Sequence, residues 1–181
     1  MIALLKGVVA HRGNGFLIVE IAGVGYRVTM PEAAMNGLSG EVTLFTHEAQ
    51  RDDGRELFGF RTADELELFS RLICVSGVGP KSGQKIACVA PVDEVKKRIM
   101  TQDIAFLSSV QGIGKKTAQK IVLELSGVLA EEGAEVAEGA EESVDALVGL
   151  GYSRKQAADA LDGLEGDTEG KIRQALKRLS R

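Results

Sequence analysis

The chain has 181 residues, of which 44% are hydrophobic and 27% charged, and its formal net charge is −4. That length suits one large domain or two to three small ones, and the composition excludes wholesale disorder. No apolar run approaches the roughly 18–20 residues that span a bilayer. The first residues do not read as a signal peptide, and the two cysteines match neither a disulfide framework nor a metal-ligand spacing. We therefore expect a cytoplasmic protein without a membrane partner.

The charge is unevenly distributed along the chain. Residues 1–62 have a net charge of −1, residues 63–126 a net of +2 and residues 127–181 a net of −5. The acidic total therefore does not exclude a nucleic-acid partner, because the middle third is basic.

The first 62 residues predict β-structure. Five short apolar and β-branched runs are separated by glycine- and asparagine-rich turn signals. The runs are residues 2–9, 16–21, 26–30, 42–46 and 57–60. This strand count and size are typical of the oligonucleotide/oligosaccharide-binding (OB) barrel. A small SH3-like barrel is the alternative.

From residue 63 the apolar residues recur at helical spacing, and Thr62 with Glu65 resembles a capping box. An internal repeat lies in this helical region. Residues 75–86 align with residues 110–121 at an offset of 35, and seven of the twelve positions are identical. Each copy has two glycines followed by lysine between two predicted helices, so one supersecondary unit is used twice.

Each glycine elbow has the chemistry of a phosphate clamp. Its glycines permit positive φ and a close approach of the backbone to a ligand. The following helix, predicted to begin near Ser82 or Thr117, presents unpaired N–H groups to an anion. We expect DNA binding that is salt-sensitive and independent of base sequence. The predicted DNA-binding residues are Gly77, Val78, Gly79, Lys81, Ser82, Lys85, Gly112, Ile113, Gly114, Lys115, Lys116, Thr117 and Lys120.

The elbows admit two other interpretations. A plain αα-hairpin with a glycine turn is the structural alternative, and two copies, each with lysine, make it the weaker one. The second elbow is also not a P-loop, because Lys116 stands where that motif needs Ser or Thr and Ser109 where it needs Gly. We therefore expect no nucleotide hydrolysis by this chain.

The last third predicts a linker and a small helical domain. Residues 127–141 contain only Gly, Ala, Val, Leu and Glu, which favours a flexible acidic linker. Beyond it, apolar periodicity returns in three short helices over residues 142–181, with Ser153 as a predicted N-cap. The domain boundaries expected are therefore 1–62, 63–126, 127–141 and 142–181. We expect no catalytic residue, cofactor or metal site, since the two histidines are isolated from the cysteines and from each other.

The elbows resemble the helix-hairpin-helix motif of DNA-binding proteins, and the order of motifs resembles the RuvA family of Holliday-junction branch-migration subunits. The resemblance covers nearly the full length. Its strongest local matches are GVGY at 23–26, FTH at 45–47, GVGPK at 77–81, GIGKKTA at 112–118 and LGY at 150–152.

The resemblance implies a multidomain α+β protein with a five-stranded OB-fold barrel, a tandem helix-hairpin-helix domain and a C-terminal three-helix, UBA-like domain. It implies a homotetramer or an octamer on four-way junction DNA, acting in recombination, DNA repair and the SOS response. The implied partners are a RuvB-type hexameric AAA+ motor and a RuvC-type resolvase. Asp52 and Asp53 would form an acidic pin, and Leu147, Leu150 and Tyr152 would contact the motor.

Alternatives remain open at this point. Asp-Asp-Gly is also an ordinary hairpin turn, and Leu147 can equally pack the C-terminal core. A helix-hairpin-helix glycosylase would need a carboxylate in a Gly/Pro-rich loop after the hairpins, yet all three prolines precede the second hairpin. A nuclease would need clustered metal-binding carboxylates, and Asp52 with Asp53 is a poor site. A structural adaptor that binds DNA only incidentally is the other rival.

Overall fold

The structure is a computed structural model that describes residues 1–51, 54–164 and 166–179, with residues 51 and 132–140 described by their backbone alone. The chain divides into two compact units, Met1–Gly127 and Val128–Arg181.

The first unit begins with a closed barrel. Its strands are β1 (Leu4–Gly13), β2 (Phe16–Ile21), β3 (Val24–Thr29), β4 (Glu41–Arg51) and β5 (Gly54–Phe60). Their order around the barrel is β1-β2-β3-β5-β4, and β1 closes it by pairing with both β2 and β4. Only β3 and β5 pair in parallel. A short helix that the sequence did not predict, α1 (Glu32–Met35), lies between β3 and β4. The prediction of a five-stranded OB-type barrel is confirmed.

The barrel core follows the two-residue period of its strands. Leu17, Val19, Val28 and Leu44 are all fully buried, while their neighbours along each strand are more exposed. Burying each such side chain stabilises the fold by about 1.5–3 kcal/mol. A register shift in β1 between Val9 and His11 lets this long strand pair with β4 at one end and β2 at the other.

Five helices follow the barrel: α2 (Ala63–Leu72), α3 (Pro80–Ala87), α4 (Val92–Met100), α5 (Ile104–Ser109) and α6 (Lys115–Gly149). Thr62 caps α2 as predicted, since its hydroxyl accepts a hydrogen bond from the Glu65 N–H at 3.1 Å. Helices α3 and α6 begin two residues earlier than predicted, at Pro80 and Lys115. Proline suits the first helical turn because its missing N–H would have no intrahelical partner there.

Aromatic rings and one buried amide join the helices to the barrel. The Phe69 ring on α2 lies 4.7 Å from the Phe60 ring and 5.0 Å from the His47 ring, centroid to centroid. The buried side chain of Gln84 on α3 donates hydrogen bonds to the carbonyl oxygens of Thr29 at 2.8 Å and Gly59 at 2.9 Å. The first repeat is therefore attached directly to the wall of the barrel.

The second unit contains the end of α6, then α7 (Arg154–Leu161) and α8 (Thr168–Leu179). Ser153 caps α7 in a capping box with Gln156, as its position predicted. The core is thin, because three of its four buried residues are alanines packed around Leu147.

Residues 127–141, predicted to be a flexible linker, are helical and belong to α6. Alanine, leucine and glutamate are strong helix formers, which explains why the helix continues through this stretch. The domain boundaries themselves and the role of the stretch as a tether stay predictions.

Candidate nucleic-acid interface

The two repeated elbows have the same backbone geometry. The first glycine of each lies in the left-handed region, with φ of 93° at Gly77 and 94° at Gly112. In the first elbow the Val78 N–H donates a turn hydrogen bond to the Val75 carbonyl at 3.0 Å. In the second, the Ile113 N–H donates the equivalent bond to the Val110 carbonyl, also at 3.0 Å. Non-glycine residues rarely adopt such a φ, so each hairpin depends on its first glycine.

The second glycine of each elbow faces open space. A Cβ added to Gly79 or Gly114 would meet nothing within 4 Å. Gly79 precedes α3 and has no side-chain capping bond, so the first-turn N–H groups of that helix are available to a ligand. The bare backbone at these two glycines is where an anion can approach the hairpins.

The apolar residue between the glycines does not face that approach. Val78 and Ile113 are each only 5% exposed and belong to the protein core. Their burial fits a clamp made mainly of backbone, and their place in the DNA-binding set stays a prediction. They hold the elbow in place, and any contact with DNA at these positions comes from the backbone.

The hairpins contact each other through a crossed pair of hydrogen bonds. The Lys85 ammonium donates to Oε1 of Gln111 at 2.9 Å, and the Lys120 ammonium to Oγ of Ser76 at 3.5 Å. Lys85 and Lys120 are equivalent positions of the two repeats, and so are the acceptors Ser76 and Gln111. An approximate two-fold axis therefore relates the two bonds. Lys85 and Lys120 therefore each contact the other hairpin, and their role as phosphate ligands stays a prediction.

A second crossed contact has the same symmetry. A Cβ on Gly77 would lie 3.9 Å from Oγ1 of Thr117, and a Cβ on Gly112 would lie 3.4 Å from Oγ of Ser82. Thr117 and Ser82 are again equivalent positions of the two copies. Each predicted hydroxyl therefore lies beside the glycine elbow of the other hairpin, which brings the two candidate anion sites onto one surface.

The two hairpins differ in charge. Lys115 and Lys116 are adjacent and exposed in the second hairpin, whereas the first has Pro80 in place of the first of these lysines. Lys81, the remaining lysine of the first hairpin, lies 3.9 Å from the Glu56 carboxylate. The second hairpin therefore has more free positive charge for a phosphate backbone.

The connection between the hairpins is held by an ion pair. Arg98 at the end of α4 lies 2.8 Å from Asp103, which caps α5 by accepting a hydrogen bond from the Phe106 N–H at 2.9 Å. That N–H and the Arg98 guanidinium lower the pKa of the Asp103 carboxyl, outweighing the opposite effect of burial.

Two more groups have shifted pKa values. Burial raises the pKa of the Glu48 carboxyl, but the Ile2 N–H at 3.2 Å, the Arg55 guanidinium at 3.0 Å and the terminal amine outweigh it, so this pKa is lowered overall. Burial, with the nearby charge of Glu65, raises the pKa of the Cys88 thiol to about 12. Neither group lies in the hairpins, so neither shift bears on the interface.

The other predicted site residues fall in different places. Asp52 and Asp53, the predicted acidic pin, lie outside the described residues. Leu147 is fully buried in the C-terminal core, which favours its packing role, and its contact with a motor stays a prediction. Leu150 is 61% exposed, and Tyr152 is half-buried.

Sequence reasoning missed the contacts that depend on tertiary packing. Gln84, Gln111 and Ser76 were not predicted to have a role, and only the repeat alignment pairs the last two as equivalent positions.

Among the described residues, no group of three or more His, Cys, Asp or Glu is placed to hold a metal ion. Within the same residues, no helix is both long and apolar enough to cross a membrane.

A closed five-stranded barrel followed by two crossed hairpins with open glycine backbones and exposed lysines defines a helix-hairpin-helix DNA-binding protein. Comparison with protein families agrees. Residues 1–59 match the RuvA N terminal domain, residues 69–126 the SAM-like Helix-hairpin-helix tandem, and residues 138–180 the RuvA, C-terminal domain.

The chain is also similar over its whole length to proteins named Holliday junction branch migration complex subunit RuvA. It is 38% identical to the one from Desulforamulus reducens, covering 99% of this chain and 98% of the relative. It is 39% identical to the one from Thermobifida fusca, a match that covers 100% of each chain. It is 37% identical to the one from Thermoanaerobacter pseudethanolicus, a match that covers 99% of each chain. The chain belongs to the RuvA family.

Proposed function

We propose that the protein binds four-way DNA junctions independently of base sequence, as a homotetramer or an octamer, and loads a RuvB-type hexameric AAA+ motor onto them. Its family places it in Holliday-junction branch migration, as a DNA-binding subunit of the complex. The crossed pair of hairpins supports the proposal most directly, because it presents two anion sites on one surface at a fixed separation.

The hairpins would bind the phosphate backbone and not the bases. Their ligand groups are glycine backbones, helix N-termini and lysines, all of which bind phosphate oxygens. A junction presents four arms of arbitrary sequence, so contacts of this kind suit it. A closed cyclic assembly would present one equal surface to each arm.

The remaining parts of the chain would act around that surface. Asp52 and Asp53 would repel phosphates at the crossover, which would keep strands apart and disfavour an uninterrupted duplex. Leu150 and Tyr152 would contact the motor, and a RuvC-type resolvase would act on the same junction. The proposed parts are a barrel with the pin (1–62), a hairpin domain (63–126), a tether (127–141) and a motor-binding domain (142–181).

A competition binding assay tests the proposal. A synthetic four-way junction, a linear duplex of equal length and a single strand compete for the protein at one fixed salt concentration, with and without magnesium. We expect strong preference for the junction and no dependence on its sequence. Equal affinity for junction and duplex would reduce the protein to a general helix-hairpin-helix binder, and the adaptor and enzyme alternatives would then be reopened.

The hairpin assignment has its own test. Lys116→Ala should weaken binding to every DNA form and lower the slope of log K against log salt by about 0.9, the share of one phosphate contact. Lys155→Ala, at an exposed lysine of α7, removes the same charge outside the hairpins and is the matched control. Equal slopes for the two variants would remove Lys116 from the interface.

The acidic pin is tested by replacing Asp52 and Asp53 with Asn. We expect affinity for plain duplex to rise more than affinity for the junction, because the repulsion acts on DNA that passes through the centre. An equal change for both DNA forms would reject the pin.

A further inference from the structure

An open groove runs between the outer wall of the barrel and the first hairpin. One part, of about 320 Å³, is lined by Arg27 and Thr29 of β3, by the start of β5 and by Lys81. A second part, of about 380 Å³, shares Arg27, Thr29 and Lys81 and extends to the Lys85–Gln111 hydrogen bond. The groove therefore continues from the hairpins onto the barrel.

Arg27 is held in place on the outer face of the barrel. Its neighbour Val28 is fully buried, so Arg27 points outward, and its guanidinium carbon lies 4.1 Å from the centroid of the Phe16 ring. A Cβ at Gly13 would overlap that ring, so the glycine makes room for it. Stacking on an aromatic face restrains a guanidinium and leaves the N–H groups along its edge free to donate.

Glu56 is the carboxylate nearest to Lys81 in this groove. It is 22% exposed, accepts a hydrogen bond from the Thr29 hydroxyl at 3.0 Å and lies 3.9 Å from the Lys81 ammonium. The groove's other carboxylate, Glu32, accepts the Gly15 N–H at 2.7 Å. Glu56 is thus the internal counter-ion of the first hairpin's lysine.

Two further cations line the groove, and both have other partners. Arg55 lies 3.0 Å from the Glu48 carboxylate, and Lys85 donates to Gln111. The described lining residues include four cations and two carboxylates, a balance that favours an anion. None of its described lining residues is aromatic, so it offers a base no ring to stack on, and a phosphate group suits it better.

We propose that Arg27 and Lys81 together bind one phosphate of the DNA backbone, and that this phosphate displaces Glu56 from Lys81. The inference rests on the proposed function and extends it, because it adds the barrel wall to the DNA path. It also makes the first hairpin a regulated site, since Lys81 is released only when a phosphate competes with its carboxylate.

Three variants test this phosphate site by fluorescence anisotropy on duplex and junction DNA across a salt series. Arg27→Gln should weaken binding to both DNA forms about tenfold and lower the log–log salt slope by about 0.9. Arg173→Gln, at an exposed arginine of α8, removes the same charge in the other unit and should change neither quantity. Glu56→Gln should strengthen binding about two- to fivefold, the range expected for loss of an exposed ion pair.

A double-mutant comparison separates the counter-ion from a general charge effect. If Glu56 acts by holding Lys81, Glu56→Gln should have no effect in a Lys81→Ala background. An equal gain in both backgrounds, or an Arg27→Gln variant that binds like Arg173→Gln, would overturn the proposal.

The proposed function can fail separately. If the wild-type protein binds duplex and junction equally, the junction assignment fails, while the duplex salt slopes still decide the role of Arg27. If the wild type prefers the junction and the slopes do not change, only the phosphate site fails.

Discussion

Replacing Gln84 with Met should destabilise the first unit through the loss of its attachment to the barrel. Methionine has a similar length and volume but no donor, so the change removes two hydrogen bonds with little change in packing. The carbonyl groups of Thr29 and Gly59 would then lose the amide that now lies 2.8 and 2.9 Å from them.

The size of the effect follows from these two bonds. Gln84 is only 2% exposed, so water does not readily replace its amide. A net loss of about 1 kcal/mol for each bond is the lower bound, and leaving buried carbonyls unpaired raises the total to about 2–4 kcal/mol. That is a large fraction of the roughly 5–15 kcal/mol that stabilises a typical domain.

Urea unfolding of the full chain, followed by near-ultraviolet and far-ultraviolet signals, measures the loss. Gln119→Met is the matched control, because Gln119 occupies the same repeat position and is exposed. Its free energy of unfolding should stay within about 0.5 kcal/mol of the wild type. If Gln84→Met differed from Gln119→Met by no more than this, the buried amide would not be what attaches the first repeat.

Further variants and reagents test other parts of the structure. Glu48→Gln should lower the free energy of unfolding at pH 7, because the folded protein holds the pKa of the Glu48 carboxyl below its ordinary value of 4.5. The difference from wild type should disappear as the pH falls through that folded pKa. Urea titrations at a series of pH values measure it. A thiol reagent at pH 8 should modify Cys74 in the native protein, whereas Cys88, with a pKa near 12, should react only after unfolding, as mass spectrometry can show. Gly112→Ala should cost about 1–2 kcal/mol of stability because its φ is 94°. Gly114→Ala should leave stability nearly unchanged and weaken DNA binding, since its Cβ meets open space where the backbone is exposed.

The parts of the fold that depend on local sequence were predictable. Strand alternation and turn signals placed all five strands, although β1, β4 and β5 extend beyond the predicted runs. The repeat identified both hairpins because their glycines determine the turn geometry locally. The burial of Val78 and Ile113 was not predicted, although an apolar residue between two exposed glycines is itself a signal for the core.

The features that the sequence could not determine elsewhere have tertiary or compositional causes. Lys85 and Lys120 have the charge of phosphate ligands, and only the crossed packing of the hairpins shows what they contact. Residues 127–141 lack a regular apolar stripe, which favoured a linker, yet their alanines and glutamates favour helix. Leu147 lies at a helical spacing that suits a core or a partner surface equally well, and its complete burial decides for the core.

The repeat shows how one sequence unit takes two roles through its surroundings. The copies share their backbone, their crossed contacts and the glutamine that follows the lysine by three residues. In the first copy Gln84 is a buried attachment to the barrel and Lys81 has Glu56 as a neighbour. In the second copy Gln119 and Lys116 remain exposed. The same repeat position thus supplies a buried attachment in one hairpin and an exposed side chain in the other, because their surroundings differ.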